Sequence, residues 1–394
     1  MAPAQAARPA HRFAPWRFTA RLEHARIGAG DPNSDRLLSV DALRGFDMFL
    51  IVGGADIIRA LDITLHSPTT VAINQQLDHV AWEGFQFWDI IMPLFMLLAG
   101  VSIPFAFGKR LSRSPSRLAL WPHIIKRVLL LWVLGMVVQG DLLSYDPEQI
   151  IVYNNTLQAI AAGYLIAVLL ALYLPVRLQI VATVLLGAGY WWVMENLEVP
   201  GVGARRYLPD ANAALYIDQL VLGQWIEEGS EYTWVLSSLN FGLTVMLGVF
   251  AGYLLRANAR QVVRLAAIFL LGAVLVAAGL VWHPYHPIIK KIWSGSFALF
   301  SGGLCYLLMA LFYLVIDIWK LVGWSRFFII IGSNSIFAYV AWHVFDFKLI
   351  GDLFAAGLEP FTGEWYPFVR YSVAFGVLFV ILWFMYRKKV FIKV

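Results

Sequence analysis

LDHVAWEGFQFWDIIMPLFMLLAGVSIPFAF, residues 77–107, is an almost continuously apolar segment that begins near a histidine and carries acidic residues. A transmembrane helix needs about 20 apolar residues to cross roughly 30 Å of hydrocarbon, and residues 83–107 satisfy that length. A charge at the centre of such a helix costs about 2.5–3.5 kcal/mol. His79, Glu83 and Asp89 therefore need a functional or structural reason.

The composition of the whole chain predicts a polytopic membrane protein. Of the 394 residues, 60% are hydrophobic and only 14% are charged, whereas a soluble domain has about 25% charged residues. The mean hydropathy is +0.69. Because lipid offers no hydrogen-bond partners to the backbone, the spanning segments should be α-helices. We therefore expect a lipid bilayer as the environment and no nucleic-acid partner.

The single cysteine, Cys305, excludes an intramolecular disulfide and lies in an apolar run. No cysteine–histidine spacing indicates a metal, so we expect no metal ion.

Ten apolar runs predict ten transmembrane helices, which share one bilayer and form one bundle. Residues 1–37 form a basic, Ala/Pro-rich tail that we expect to be disordered and cytoplasmic, and residues 38–394 form the transmembrane domain. The predicted helices are 42–60, 83–107, 123–140, 156–174, 178–196, 237–255, 263–282, 297–316, 327–345 and 367–386.

The basic residues predict that both termini are cytoplasmic. With that orientation, most of the 30 Lys and Arg residues lie inside. The outer side keeps Arg59, Arg205, Arg206, Lys290, Lys291, Lys348 and Arg370. The loops 61–82, 197–236 and 346–366, and the segment from His283 to Ser296, then face outward.

The predicted first helix contains several charged residues. Asp41 and Arg44 are three residues apart on one helical face, so they can form an ion pair at the cytoplasmic entry. Asp56 lies about 22 Å further along a continuous helix, near the outer rim. The Gly53–Gly54 pair allows close approach of another helix or a ligand.

The second helix places His79 at its outer rim. If the helix is continuous, Asp89 lies about 15 Å deeper, where a carboxylate must find a partner or a proton. Pro93 is expected to kink this helix. Trp82 and Trp88 offer flat walls, and a histidine beside a carboxylate in a half-dry site is suited to act as a general base.

Two further polar groups are ambiguous. Asn334 and Ser335 lie in the first half of the ninth helix, with His343 near its outer end; such residues serve as interhelical contacts or as ligands. The histidines and lysines between His283 and Lys291 are expected to be solvated, and the alternative is that they hold an anionic or sugar ligand.

Together these residues resemble the heparan-α-glucosaminide N-acetyltransferases and their bacterial relatives, from about residue 36 onward. RLLSVDALRGFDMFLIVGG resembles the first-helix signature of the family, and DHVAWEGFQFWDIIMPLFMLLAGVSI resembles its histidine-tryptophan-x-glycine segment followed by an aspartate-x-x-x-proline helix. The segments LYIDQLVLG, SNSIFAYVAWHVF and YRKKVFIKV follow in the family's order.

The resemblance implies acetyl transfer from cytoplasmic acetyl-CoA to the amino group of a glucosamine across the membrane. It implies that His79 is the catalytic residue. The residues permit a mechanism in which the imidazole accepts the acetyl group or acts as a general base, with Asp56 or Asp89 orienting it. The candidate acetyl-CoA-binding residues are Asp41, Arg44, Arg127, Asn334 and Ser335, and the candidate substrate-binding residues are Trp82, Glu83, Asp218 and His343.

The chain departs from the family pattern at several positions. Asp56 stands near an active-site asparagine of the human-type enzyme, and Glu83 stands where that enzyme has asparagine. The arginine expected after Gln158 is missing, and EYTWVLSSLN precedes the sixth helix in place of an acidic-Pro-Glu-Gly run.

Two other functions remain open from the sequence. The intramembrane carboxylates Asp47, Asp56 and Asp89 suit a transporter of sugars or ions, and the acceptor is otherwise another outer-face glycan. We expect a bacterial inner membrane, with the acceptor site facing the periplasm, rather than a lysosome, since the sequence shows no signal peptide or large luminal N-terminal domain. A homo-oligomer is compatible with the sequence.

Overall fold

The computed structural model describes residues 37–111 and 116–392, and every regular element within them is helical. The predicted all-α class is confirmed. The predicted tail, 1–37, lies outside the described residues except for Leu37.

The α-helices are α1 (Leu38–Phe49), α2 (Ala55–Leu65), α3 (Pro68–Gln76), α4 (Ile91–Leu111), α5 (Trp121–Gln139), α6 (Thr156–Tyr173), α7 (Val176–Asn196), α8 (Ala213–Leu222), α9 (Ser238–Arg256), α10 (Gln261–Trp282), α11 (Gly295–Phe312), α12 (Ser325–Gly332), α13 (Ser335–Val344), α14 (Phe347–Ala355), α15 (Glu359–Thr362) and α16 (Tyr366–Arg387).

Shorter helical turns extend or connect these helices. Two are π-helical, Leu50–Gly54 and Tyr313–Ile318. The 3-10 turns are Phe87–Ile90, Leu118–Leu120, Leu142–Ser144, Gly223–Trp225, Ala356–Leu358 and Gly363–Trp365.

In the described part of the chain, eight helical stretches are long and apolar enough to cross a membrane. A ninth is the pair α12 and α13, if these two helices, bent by 72° at their junction, are one broken span. The stretches are Phe87–Gly108, Leu118–Gln139, Thr156–Tyr173, Val176–Asn196, Ser238–Arg256, Gln261–Trp282, Gly295–Ile318 and Phe347–Arg387. The predicted count of ten is therefore higher than the number of apolar spans.

The predicted segment 42–60 is helical but interrupted, and it is rich in charged residues. Between α1 and α2 the backbone leaves helical geometry at Val52 and at Gly53, whose φ is +121°. A side chain at Gly53 would meet the ring of Trp342 and the Cβ of Phe375. The missing side chain at Gly53 therefore lets α13 and α16 approach the turn between α1 and α2, as the glycine pair predicts.

Glycines also set the position of α4, the helix that follows the candidate catalytic segment. A Cβ at Gly100 of α4 would overlap the Val245 carbonyl of α9, and a Cβ at Gly248 of α9 would overlap the Leu97 carbonyl of α4. In lipid, where apolar surface gives little drive for helix association, such close backbone packing holds helices together.

The loops before α4, between α5 and α6, between α7 and α9 and between α10 and α11 meet at one end of the bundle, which we call the His79 end. Backbone hydrogen bonds join them: Gly84 donates to Ile288, Thr233 donates to Lys291, and Val152 donates to Trp225. The loops thus form one assembly over the helix ends.

Candidate active site

The segment that carries His79 is folded back on itself and is not helical. Gly84 has a φ of +121°, which favours glycine, and its N–H lies 2.9 Å from the Ile288 carbonyl. Glu83 forms an isolated bridge with Ile289. The predicted helix therefore begins only at Phe87, and the 15 Å separation expected of a continuous helix does not apply. Pro93 falls in the first turn of α4, where proline is tolerated, so it causes no kink there.

Asp89 holds the imidazole of His79. Its Oδ1 lies 2.7 Å from His79 Nδ1, and its Oδ2 accepts a hydrogen bond of 3.0 Å from the Gln86 backbone N–H. The Asp89 side chain is 2% exposed, whereas that of His79 is 40% exposed. The carboxylate is therefore rigidly placed at the helix start, and the imidazole that it orients stays accessible.

Lys290 is a third member of this cluster. Its Nζ lies 3.2 Å from Asp89 Oδ1, 3.0 Å from His79 Nδ1 and 3.5 Å from His79 Nε2. Burial lowers the pKa of the Lys290 ammonium to about 8, although the Asp89 carboxylate opposes that shift. The expectation that this lysine is solvated is wrong, because the loop between α10 and α11 folds inward over the helix ends.

The hydrogen bonds determine which ring nitrogen of His79 is available. A carboxylate only accepts, so the short contact assigns the proton of the neutral ring to Nδ1, which donates to Asp89. Nε2 then carries the lone pair. This is the arrangement in which a histidine acts as a general base or a nucleophile.

His79 and Lys290 open into a cavity of about 310 Å³ at this end of the bundle. Two groups of side chains line it: apolar ones, which we call its floor, and aromatic and polar ones, which we call its wall. The floor consists of Ile51, Ile91, Met92, Phe95, Leu157, Ile160 and Ile336. The remaining lining residues are Trp88, Gln139, Asn154, Thr156, Glu227, Tyr232, Trp234, Tyr339 and His343.

His343 lines the same cavity as His79. Its Nδ1 lies 2.8 Å from the Tyr339 carbonyl, so Nδ1 is the protonated nitrogen and Nε2 is left as an acceptor. The Tyr339 ring packs on the His343 ring at 4.3 Å. The sequence named both histidines as candidate site residues, and the fold brings them, 264 positions apart in the chain, to the same cavity.

A family model described as heparan-alpha-glucosaminide N-acetyltransferase, catalytic, matches residues 36–279. The chain belongs to this family. Heparan-alpha-glucosaminide N-acetyltransferase of Homo sapiens is 25% identical over 91% of this chain and 60% of its own length. The protein of the same name from Mus musculus is 24% identical over 92% of this chain and 61% of its own length. The chain therefore spans about 60% of the length of these relatives.

Two carboxylates were candidates for orienting the imidazole in this family member, and Asp89 is the one in contact. Asp56 does not line the cavity; its carboxylate lies 3.7 Å from Arg59. Arg59 in turn lies 3.2 Å from Asp78 and donates to the Leu77 carbonyl at 2.7 Å. Asp56 thus contacts Arg59, and Arg59 in turn binds the segment just before His79.

Trp82 and Glu83, predicted to bind substrate, also lie outside the cavity lining. The indole N–H of Trp82 donates to the Tyr207 carbonyl at 2.7 Å, which ties its segment to the long loop after α7. The Glu83 carboxylate lies 3.6 Å from His283 Nε2 and is largely exposed. Of the two predicted tryptophan walls, Trp88 lines the cavity.

A buried histidine, His286, connects the loop after α7 to the start of α11. His286 is fully buried, its Nε2 accepts from the Gly295 N–H at 2.9 Å, and its Nδ1 lies 3.0 Å from the Tyr207 hydroxyl. Tyr207 donates to Glu195 at 2.8 Å. Burial lowers the pKa of His286 to about 3, so the ring is neutral and not solvated as expected from the sequence.

Asp218 supports the cavity wall without lining it. This fully buried carboxylate accepts hydrogen bonds from the backbone N–H groups of Trp234, at 2.6 Å, and Val235, at 2.9 Å. Burial raises the pKa of Asp218 to about 6, although the two N–H donors oppose the shift. Trp234 lies in the segment that departs from the family pattern, and its side chain lines the cavity.

The predicted acetyl-CoA contacts do not line this cavity. Asp41 and Arg44 form the predicted ion pair, at 3.5 Å. The Arg127 guanidinium lies 4.3 Å over the Tyr164 ring. The Asn334 amide bonds the chain end, donating to the Val390 carbonyl and accepting from the Ile392 N–H. Ser335 is buried at the start of α13.

Sequence reasoning did not name Glu227, Tyr232, Trp234, Gln139 or Asn154, and it considered Lys290 as a ligand contact only as the alternative to a solvated residue. These residues lie in loops or at helix ends, where no periodicity marks a buried face. For Lys290 one signal was present: the pair Lys290–Lys291 interrupts an otherwise apolar stretch that ends in Trp293.

Proposed function

We propose that this protein transfers the acetyl group of acetyl-CoA to the amino group of a glucosamine-type sugar. Membership of the N-acetyltransferase family supports the reaction class. The observation that carries the residue assignment is the 2.7 Å contact between His79 and Asp89, which leaves Nε2 of an accessible imidazole beside a cavity.

In the direct route, the nitrogen of the sugar amine attacks the thioester carbonyl carbon, and His79 Nε2 takes a proton from that amine during the attack. The new C–N bond forms, the C–S bond breaks, and the coenzyme A thiolate receives the proton from the imidazolium. Asp89 stabilises the imidazolium while it exists.

In the covalent route, Nε2 itself attacks the thioester carbonyl, and coenzyme A leaves before the amine takes the acetyl group from the imidazole. Both routes use the same nitrogen. Protein mixed with acetyl-CoA in the absence of any sugar distinguishes them: the covalent route releases one equivalent of coenzyme A, and the direct route releases none.

Lys290 stabilises the charge that develops during attack. In either route the carbonyl oxygen becomes negative, and a positioned cation beside it lowers that barrier. Lys290 Nζ, 3.5 Å from Nε2, is close to any carbonyl that Nε2 or a neighbouring amine attacks. Its ion pair with Asp89 keeps the ammonium in place.

We propose that the His79 end faces the outside of a bacterial inner membrane and that acetyl-CoA arrives from the opposite side. The basic residues Arg44, Lys126 and Arg127 are suited to contact its phosphates there. Between His343 and Ile336 the cavity extends roughly 10 Å along α13. Because the apolar floor lies between the cavity and that opposite side, it must open to admit the thioester.

Two helix breaks support an opening of the floor. Ile51 lies in the π-helical turn between α1 and α2, and Ile336 follows the bend between α12 and α13. Backbone at such interruptions has fewer regular hydrogen bonds to lose when it moves. The floor therefore contains residues at the two places where the bundle is least regular.

The test uses the purified protein in lipid nanodiscs with radiolabelled acetyl-CoA and a panel of amino sugars. We expect labelled N-acetylglucosamine from glucosamine, and no product from His79→Ala. His123→Ala is the matched control, since His123 does not line the cavity. Full turnover by His79→Ala would remove His79 from the scheme. Uptake of labelled sugar into proteoliposomes without coenzyme would indicate a transporter.

A further inference from the structure

The cavity lining carries a carboxylate, Glu227, that no group in the described part of the chain compensates. Lys290 lines the cavity, but its charge is balanced by Asp89 at 3.2 Å. Glu227 also lines it, and within residues 37–111 and 116–392 its carboxylate has no ion pair or side-chain hydrogen bond. A cleft with an uncompensated carboxylate attracts a cationic ligand.

The loop that carries Glu227 also supplies an aromatic wall, Tyr232 and Trp234, which lines the same cavity. Tyr232 and Trp234 lie nearly parallel, with ring planes 26° apart and centroids 6.2 Å apart. Tyr153 packs behind Trp234 at 5.4 Å. Asp218 fixes the backbone at Trp234, so the wall is preformed. Trp234 is nearly buried, so it mainly backs the Tyr232 ring, which presents the apolar surface to the cavity. Such a surface suits a ligand with one C–H-rich face, such as a pyranose ring.

Polar groups on the adjoining helix ends can bind several hydroxyl groups. The Gln139 side-chain oxygen accepts from Asn155 at 3.1 Å, which leaves its NH₂ group free to donate. The Asn154 NH₂ group donates to the Gln139 carbonyl, and its side-chain oxygen is buried without a partner in the described part of the chain. Thr156 adds a hydroxyl to the same lining.

We propose that Glu227, the Tyr232–Trp234 wall and the Gln139–Asn154 edge form the acceptor subsite, which selects a protonated amino sugar through the Glu227 carboxylate. This inference rests on the proposed function and adds the residues that choose the acceptor. The ammonium binds Glu227, the apolar face of the ring lies on the aromatic wall, and the hydroxyl groups bind the amide edge.

The subsite has a consequence for turnover. Acetylation converts a cationic amine into a neutral amide, so the product no longer forms a charge-assisted hydrogen bond with Glu227. The ammonium loses one proton to solvent before the neutral amine attacks, and His79, which lines the same cavity as Glu227, takes the second proton and passes it to the thiolate. The carboxylate therefore favours the substrate over the product and promotes product release.

The experiment measures equilibrium binding of glucosamine and N-acetylglucosamine to the protein in nanodiscs without acetyl-CoA, followed by tryptophan fluorescence. We expect the wild type to bind glucosamine more tightly by about tenfold or more. Glu227→Gln should bind both sugars about equally, with its affinity for N-acetylglucosamine unchanged. The neighbouring Glu228 does not line the cavity, so Glu228→Gln should keep the wild-type preference.

Equal affinity of the wild type for the two sugars overturns the proposal, and so does a preference that survives in Glu227→Gln. If Glu227→Gln loses both ligands, Glu227→Asp decides: a restored preference supports the subsite, and its absence overturns it. If the preference is present but no acetylated sugar forms with acetyl-CoA, the subsite stands and the proposed function falls.

Discussion

Lys290 Nζ lies 3.0 Å from His79 Nδ1, although 211 residues separate the two in the chain. The contact exists because Gly84 and Ile288 pair their backbones and bring the two loops together. A buried lysine, a histidine and an aspartate therefore share one site, in which each charge affects the other two.

The Asp89 carboxylate should be needed for chemistry more than for folding. We expect Asp89→Asn to lower kcat by about 10²–10⁴-fold, because the imidazole loses its orienting partner and the stabilisation of its cation. KM for acetyl-CoA should change little. Steady-state acetyl transfer measures both constants, and the exposed Asp210→Asn is the control. A variant with wild-type kcat would contradict the assigned role.

Activity should fall on the alkaline side as Lys290 loses its proton. Its pKa is about 8, so the ammonium is present below that pH and lost above it. The ionisable groups that face it are His79, Asp89, Lys291 and the nearby Tyr232. We expect the alkaline limb of the kcat/KM profile near pH 8 to disappear in Lys290→Arg, because the guanidinium stays charged.

The Lys290 profiles are compared with one acceptor, so the titration of the amino sugar contributes equally to both. Lys290→Met should lower the rate most below about pH 8, where the wild type carries the ammonium, and less above it. A wild-type profile that keeps rising through pH 8, identical to that of Lys290→Arg, would show that this ammonium does not take part.

A large side chain in the cavity floor should block the donor but not the acceptor. We expect Ile336→Trp to lower acetyl transfer at least about tenfold by overfilling the floor at the start of α13. Glucosamine binding, measured by fluorescence, should remain. Val380→Trp, at an exposed position of α16, is the matched control. Loss of glucosamine binding together with transfer would contradict the separation of floor and wall.

The contact between α4 and α9 should tolerate no added methyl group. We expect Gly100→Ala to lower the Tm by several degrees, because its Cβ would overlap the Val245 carbonyl. Gly189→Ala is a matched control, since nothing lies within 4 Å of a Cβ at that position. There alanine should be neutral or stabilise by up to about 1 kcal/mol through helix propensity. Equal Tm values for the two variants would argue against tight packing at Gly100.

Much of the architecture could be predicted because lipid imposes it. Apolar runs marked the helices, and His79, Asp89 and His343 were identified as polar residues that such runs do not tolerate without a reason. The points at which these helices are interrupted were harder to predict. Residues 77–86 have the composition of a helix entry, but backbone pairing with residues 288–289 prevents a helix there. Asp89 therefore contacts His79 directly instead of lying a helix length below it.

The site also shows why loops escape such predictions. Glu227 and Lys290 are ordinary charged loop residues in the sequence, and only their neighbours give them a role. Trp82 and Asp218, by contrast, are candidates whose hydrogen bonds go to the backbone of neighbouring loops. A chain-local pattern does not distinguish a residue that lines a cavity from one that supports its wall.

Hydropathy alone determined the class of this protein and the positions of most of its helices, because a backbone in hydrocarbon must satisfy its own hydrogen bonds. The order of its motifs determined the family. The tertiary structure decided which carboxylate contacts His79, which lysine joins the two residues and which loop forms the wall of the cavity. The lysine reaches His79 across 211 positions of the chain, and even the His79–Asp89 contact, across ten, depends on the backbone pairing that keeps residues 77–86 out of a helix.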